Sequence, residues 1–368
     1  ELRSLARGVS PERLAPRWPV IGEPGLDGVP VTFVARAPAG LEVLLHLNGI
    51  TDRTRTCFEW ALMPVLARNG GQEIHAAAYL LPEGLAASYR LVTMPEIPRD
   101  AGRTRQGWRA VHEAGRADPL AARTMATPLG GDASLLTLPG ASIHPAWEPG
   151  SPVLRPEAVR TDLEGAQIWD HGRHDRLVIL FDTEQWEGVG LPGALRRLAG
   201  TPPLILAVAS GSLEHRARFL PDPRRVESVV RPALRTVSRR WGTVPRERIM
   251  ATGQSYGGLA AVGLVTCGAA PAGRALAQSA SLHHVPGHRH PGEVTGPGSL
   301  VSSLGRGPSP GTIDLVCGTE EAGLLGVARD SAPLLERAGH RVTVRSVVGG
   351  HDYAWWCHEL LFSLDRWR

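Results

Sequence analysis

Lysine is absent from the chain: all 40 basic positions among its 368 residues are arginine. Every cationic side chain is therefore a planar, permanently charged fork rather than a compact ammonium. The excess of positive charge is slight, +4 at pH 7, and no basic run is interleaved with aromatics, which argues against a nucleic-acid partner. It is compatible with a small anionic ligand and no more. No apolar run approaches the ~20 residues needed to cross a bilayer, so no membrane partner is expected, and 42% hydrophobic residues suit a globular chain. The opening ELRSLARGVSPERLAPRW lacks the apolar stretch of a secretory signal. The four cysteines, Cys57, Cys267, Cys317 and Cys357, are scattered without CxxC spacing, as expected of reduced thiols in a cytoplasmic protein.

What is present divides into two rhythms. Residues 29–96 hold β-rich runs, VPVTFVARA, EVLLHLNGIT, EIHAAAYLL and ASYRLVT, separated by PAG, RNGG and PEG turns, the pattern of a small antiparallel sandwich. From Pro98 to Pro149 that pattern dissolves, and a long surface connection is expected, ending in a linker near residues 147–157. Beyond it, apolar runs at Arg176–Asp182, Pro203–Ala209, Arg248–Thr252, Thr312–Gly318 and Arg341–Val348 alternate with helix candidates at Leu191–Leu198, Pro223–Trp241, Ser255–Val265, Gly326–Ala338 and Tyr353 to about Trp367. The expected fold class is α/β, a doubly wound and mostly parallel sheet of the α/β-hydrolase kind preceded by a smaller antiparallel β-sandwich domain. The expected division is 1–150 for the sandwich with its connecting segment and 151–368 for the catalytic domain.

The chemistry gathers where strands of the second rhythm end. RIMATGQSYGGLAAVGL at 248–264 reads as strand, tight turn and helix around G-x-S-x-G. At such a turn the serine takes a strained conformation, its flanking glycines leave room for strand and helix, and its hydroxyl stands above the sheet at a helix N-terminus. Ser255 is the candidate nucleophile. It needs a base, and the last strand runs straight into Gly349-Gly350-His351-Asp352, which makes His351 the candidate; His358 in the following helix is the near competitor. The acid is expected after TIDLVCG, where Glu320 and Glu321 compete; Glu321 is preferred, and a Ser–His dyad without an acid stays open. The oxyanion hole needs two N–H donors, assigned to Tyr256 and to the backbone of Glu184 in the loop after the first strand.

GQSYGG at 253–258, GGHD at 349–352 followed by an aromatic-rich helix, FDTEQW at 181–186, QSAS at 278–281 and LNGITD at 47–52 together resemble the enterochelin (ferric enterobactin) esterase family, as do RADPL at 116–120 and the PxW at 145–147. The resemblance spans about residue 29 to the end. It implies an N-terminal sandwich before an esterase-D-like α/β-hydrolase, which cleaves tri-catecholate trilactone siderophores in the cytoplasm to release iron. Ser255 and His351 match the family's nucleophile and base. Three departures stand out: Thr183 where the family often has Gly, Phe219 in place of Glu in an Arg-x-x-Glu-Leu segment, and His283-His284 in place of an aromatic pair. They put substrate preference in doubt rather than the chemistry.

A ferric tris-catecholate is a compact trianion with aromatic faces, which calls for fixed cations and flat side chains. Arg216 is the expected cation, Trp186 and Trp356 are expected platforms unless they belong to the core, and Asp352 is expected to orient the His351 loop or a bound ester. No metal or cofactor is expected: Pro286 and Gly287 interrupt the histidines at 283, 284, 288 and 290, a segment that reads instead as a mobile lid extending through SLGRGPSPG. Two other functions are compatible with these residues. One is a feruloyl-type or general carboxylic esterase with the sandwich as a carbohydrate-binding module; the other is a non-catalytic siderophore-binding protein.

Overall fold

Two kinds of sheet are built from the two rhythms. The computed structural model describes residues 18–53, 57–128, 130–267, 271–287, 296–305 and 309–367. The chain divides into two units: Glu1–Ser142 with Val348–Trp355, and Ile143–Val347 with Trp356–Arg368.

In the first unit, β1 (Val20–Ile21), β2 (Val29–Pro38), β4 (Val65–Asn69) and β5 (Gln72–Leu81) form one antiparallel sheet in the order β1-β2-β5-β4. A second contains β3 (Glu42–Leu47), β6 (Ala86–Met94), β7 (Thr124–Ala126) and β8 (Asp132–Thr137) in the order β3-β6-β8-β7. Alternate residues of both, among them Val31, Phe33, Leu45, Leu47 and Tyr89, share one buried core, as period-two strands must when each sheet has a single inner face. The stretch from 98 to 149 is not the loose connection expected. It contains helix α1 (Arg105–Ala114), started by Thr104 accepting from the Gly107 amide at 3.0 Å, and strand β8 paired with β6. The Asp118 of RADPL is buried and accepts from Trp18 Nε1 (2.6 Å) and Tyr89 Oη (3.0 Å), so this motif fastens the sandwich.

The second unit carries an eight-stranded sheet in the order β16-β15-β14-β13-β11-β12-β10-β9. Strands β9 (Val159–Leu163) and β10 (Ala166–Asp170) are antiparallel at one edge; β11 (Leu177–Phe181), β12 (Leu204–Val208), β13 (Ile249–Gln254), β14 (Arg274–Gln278), β15 (Thr312–Gly318) and β16 (Arg341–Val347) are parallel. The helices are α2 (Thr183–Gly188), α3 (Leu191–Arg197), α4 (Leu213–Phe219), α5 (Pro223–Trp241), α6 (Tyr256–Thr266), α7 (Ser299–Ser302), α8 (Ala322–Arg337) and α9 (Tyr353–Arg366). Strands β11, β12 and β13 are buried at every position, which is why β11 and β12 read as unbroken apolar runs, while β13 turns polar at Thr252 and Gln254 as it enters the turn at Ser255. Helix α6 is buried along its length from Gly257 onward, so its sequence shows no amphipathic stripe. The architecture is that of an α/β-hydrolase sheet after an antiparallel sandwich. Strand β14, RALAQ, is the parallel strand that the apolar pattern does not announce, because it opens on arginine and is filled with small residues.

Candidate active site

Strand β13 ends at Gln254, helix α6 begins at Tyr256, and Ser255 alone makes the turn with φ 56° and ψ −117°. That conformation costs an L-residue about 1–3 kcal/mol and persists only where the surroundings enforce it. Here they do. The Ser255 amide donates to Gln278 O (3.0 Å), while its carbonyl accepts from Ser281 N (3.0 Å) and Leu259 N (3.1 Å). The glycines are required by space: a Cβ at Gly253 would lie 2.7 Å from the Gly257 carbonyl carbon, and one at Gly258 would lie 2.9 Å from Ala280 Cβ. Gly253→Ala is therefore expected to destabilise the protein by about 3 kcal/mol, read as a lower urea midpoint with unchanged slope. The Ser255 side chain is left half-buried, its Oγ 3.3 Å from Ser281 Oγ.

The neighbouring strand supplies the second half of the site. Strands β11 and β13 pair in parallel, so the loop after β11 emerges beside the elbow. Asp182 caps α2 with φ 62° and is completely buried. Thr183 and Glu184 then occupy the first turn, where backbone N–H groups have no acceptor within the helix. The Glu184 side chain does not wander. Its Oε1 accepts from Ser210 N (3.0 Å) and Ser210 Oγ (2.8 Å), at the end of β12.

The acid candidates separate by environment. Glu321 is buried at the start of α8, and its Oε2 accepts from Ser279 Oγ (2.6 Å) and Gly318 N (2.8 Å). Glu320 is half-buried and takes a bond from the adjacent Thr319 hydroxyl (3.1 Å). Ser279 sits at φ 45°, accepts from Trp356 Nε1 (3.0 Å) and donates its own hydroxyl hydrogen bond to Glu321, while Gln278 Nε2 donates to Trp356 O (2.8 Å). The QSAS segment thus fixes the elbow through Gln278 O and Ser281 N, and one carboxylate through Ser279 Oγ. Glu321→Gln is expected to lower kcat about a hundredfold while Glu320→Gln stays within about twofold, in initial-rate assays of the purified variants.

His351 belongs to the stretch that groups with the first unit. Its carbonyl accepts from Asn48 Nδ2 (3.2 Å), and a Cβ on Gly350 would lie 2.6 Å from Gly49 Cα. Asp352 is buried and accepts from Ser88 N (2.5 Å) and Ala354 N (3.0 Å). Burial pushes its carboxyl upward from the ordinary range, against those two amides. Of the two tasks expected for Asp352, orienting the loop is the one its contacts perform. The competitor His358 is buried, its Nδ1 accepting from His144 N (3.0 Å) and its ring lying against Trp147, so it anchors the PxW segment.

Residues 30–147 match the family model described as enterochelin esterase, N-terminal. Over 92% of its length the chain is 27% identical to the iron(III) enterobactin esterase of Dickeya dadantii, of which it spans 87%. It is 26% identical to the iron(III) salmochelin esterase of Escherichia coli, over 89% of this chain and 84% of that protein. Along most of its length the chain is similar to enterochelin esterases. Among solved structures, the Salmonella typhimurium ferric enterobactin esterase matches with a TM-score of 0.76 at 23% identity, covering 93% of this chain and 94% of that one. The enterobactin esterase of Shigella flexneri, determined in the presence of enterobactin, matches with a TM-score of 0.75 at 22% identity, covering 94% of each chain. These likenesses establish the fold.

The residues expected to meet a ligand fall differently from expectation. Trp186 is completely buried and Trp356 is 3% exposed, which corrects their assignment as stacking platforms: both belong to the core, and Trp356 serves through its N–H. Arg216 is not an open cation. Its Nε and Nη2 grip Asp182 Oδ1 and Oδ2 at 2.7 and 2.8 Å, and its guanidinium lies 5.6 Å from the Tyr256 ring centre. Of the expected lid, residues 288–295 and 306–308, with His288 and His290, lie outside the described residues. His284 is described, edge-on to Tyr256 with ring centres 5.4 Å apart. Ser279 and Asn48 lie within the QSAS and LNGITD motifs and Ser210 in none, but the contacts of all three run to partners remote in the chain, which local sequence does not specify.

Proposed function

We propose that this protein is a serine esterase that hydrolyses the ester bonds of tri-catecholate trilactone siderophores, releasing their iron in the cytoplasm. The reading is carried by the strained Ser255 at the head of a buried helix, in a chain that aligns along most of its length with enterobactin and salmochelin esterases. No helix among the described residues is long and apolar enough to cross a membrane.

In this reading Ser255 Oγ attacks a lactone carbonyl as His351 takes its proton. The tetrahedral oxyanion receives hydrogen bonds from the Tyr256 and Glu184 amides. The lactone's acyl carbon–oxygen bond breaks, leaving the acyl group on Ser255, and the departing alkoxide of the substrate takes the proton from His351. A water, deprotonated in turn by His351, attacks the acyl carbon and returns Ser255 as a free hydroxyl. Glu321 holds the imidazole in its working orientation. Three such cycles open the ring and cut the linear product to monomers.

The test is incubation of the purified chain with ferric enterobactin and chromatography of the products over time. Linear trimer should appear first, followed by dimer and by 2,3-dihydroxybenzoylserine. Turnover of feruloyl esters with none of the catecholate would overturn the substrate assignment.

A further inference from the structure

We infer that the Asp182–Arg216 ion pair is a positioning device for the oxyanion hole, and that Arg216 is not a cation for the substrate. The inference rests on Ser255 esterase chemistry but not on the identity of the ester. Four segments meet at the Asp182 carboxylate. Ser210 Oγ at the end of β12 donates to Oδ1 (2.5 Å); Arg216 of α4 clasps both oxygens; Gln254 Nε2, adjacent to the nucleophile, reaches Oδ2 (3.2 Å). Asp182 itself is the cap from which Thr183 and Glu184 follow. Arg216 Nη2 also donates to Gln254 O (3.3 Å), the carbonyl of the peptide that leads into Ser255. A Cβ on Gly257 would lie 3.0 Å from Asp182 Oδ2, so helix α6 also begins against this carboxylate.

The two proposed oxyanion donors stand on different strand ends, Tyr256 after β13 and Glu184 after β11. Backbone pairing between those strands sets their rough separation, but the paired register ends at Leu180 and Thr252, short of both donors. The ion pair spans that remaining gap. A buried carboxylate with charged, bidentate and amide donors is rigid because moving it strands several polar groups at once. Asp182 is fully enclosed and the Arg216 side chain is 12% exposed, so little water is present to relax the pair. Arg216 has its charge neutralised and its fork occupied, a poor arrangement for drawing in a trianion and a good one for fixing a loop.

The experiment compares Arg216→Lys, Asp182→Asn and the milder Ser210→Ala with wild type on two esters, neutral p-nitrophenyl acetate and trianionic ferric enterobactin. Inhibition by an alkyl trifluoromethyl ketone, which forms a tetrahedral oxyanion on the serine, is measured alongside. The expected result is an about thirtyfold fall in kcat for Arg216→Lys on both esters, with KM within about twofold and the ketone Ki rising in parallel. Ser210→Ala should give a smaller effect of the same kind. It keeps the ion pair, so it reports even if Asp182→Asn fails to fold. A loss confined to the trianion, or a raised KM with kcat intact, would overturn the inference and return Arg216 to substrate binding. So would an unchanged ketone Ki. Wild-type turnover of the neutral ester without the catecholate would sink the siderophore reading alone, leaving this one tested on the neutral substrate.

Discussion

Replacing Ser255 with alanine should lower kcat on ferric enterobactin by about 10⁴-fold or more, with siderophore affinity, read by isothermal titration, within about twofold of wild type. The side chain contributes little to the fold: its hydroxyl stands 3.3 Å from Ser281 Oγ, and the elbow is held by backbone bonds to Gln278, Ser281 and Leu259 that alanine retains. Alanine at φ 56° keeps the same backbone strain as serine, so a large loss of stability is not expected. Fluorophosphonate labelling should map to Ser255 in wild type and vanish in the variant. Retention of a tenth of the activity would place the nucleophile elsewhere.

The second large effect is expected at His351. His351→Ala should cost about 10⁴-fold in kcat, partly restored by added imidazole, because the side chain supplies proton transfer in both half-reactions. Its loop does not depend on that side chain: Asn48 holds the carbonyl, Trp355 Nε1 donates to Gly350 O (2.7 Å), and Asp352 accepts from Ser88 N. The contrast is His358→Ala, which should leave kcat within about threefold and lower stability by about 2 kcal/mol through the stranded His144 amide. Equal losses of kcat at the two histidines would mean that His351 acts on the fold rather than on the proton.

Local rules served some parts of this chain better than others. Strands β11 and β12 are legible because a strand buried on both faces is apolar throughout, β13 and β15 because most of their positions are buried and apolar, and the elbow because its glycines answer to space within a few residues. The sequence sets Glu320 and Glu321 side by side; in the structure Glu321 is buried and accepts from Ser279 and Gly318, while Glu320 is half-buried. The region from 98 to 149 differs from expectation because the apolar stripe of α1 is narrow, Trp108 and Val111 set among arginine, glutamine and glutamate, and because β8 is recognisable as a strand only through its pairing with β6 far back in the chain. Trp186, Trp356 and Arg216 misled for another reason. Large and charged residues near a site are equally at home in core and in contact with ligand, and nothing in their neighbours along the chain separates the two.

LNGITD and GGHD lie about three hundred positions apart, yet Asn48 holds the His351 carbonyl and Gly49 presses on Gly350. The sequence by itself determined the α/β alternation, the strained turn at Ser255 and the chemical class of its candidate partners, since these follow from hydrophobic period and from sterics over a few residues. Only the tertiary structure decided which carboxylate is locked in place, that Arg216 is spent on Asp182, and that the tryptophans are core. Those outcomes depend on which strand ends the sheet order makes neighbours, a relation between segments distant in the chain that no local pattern encodes.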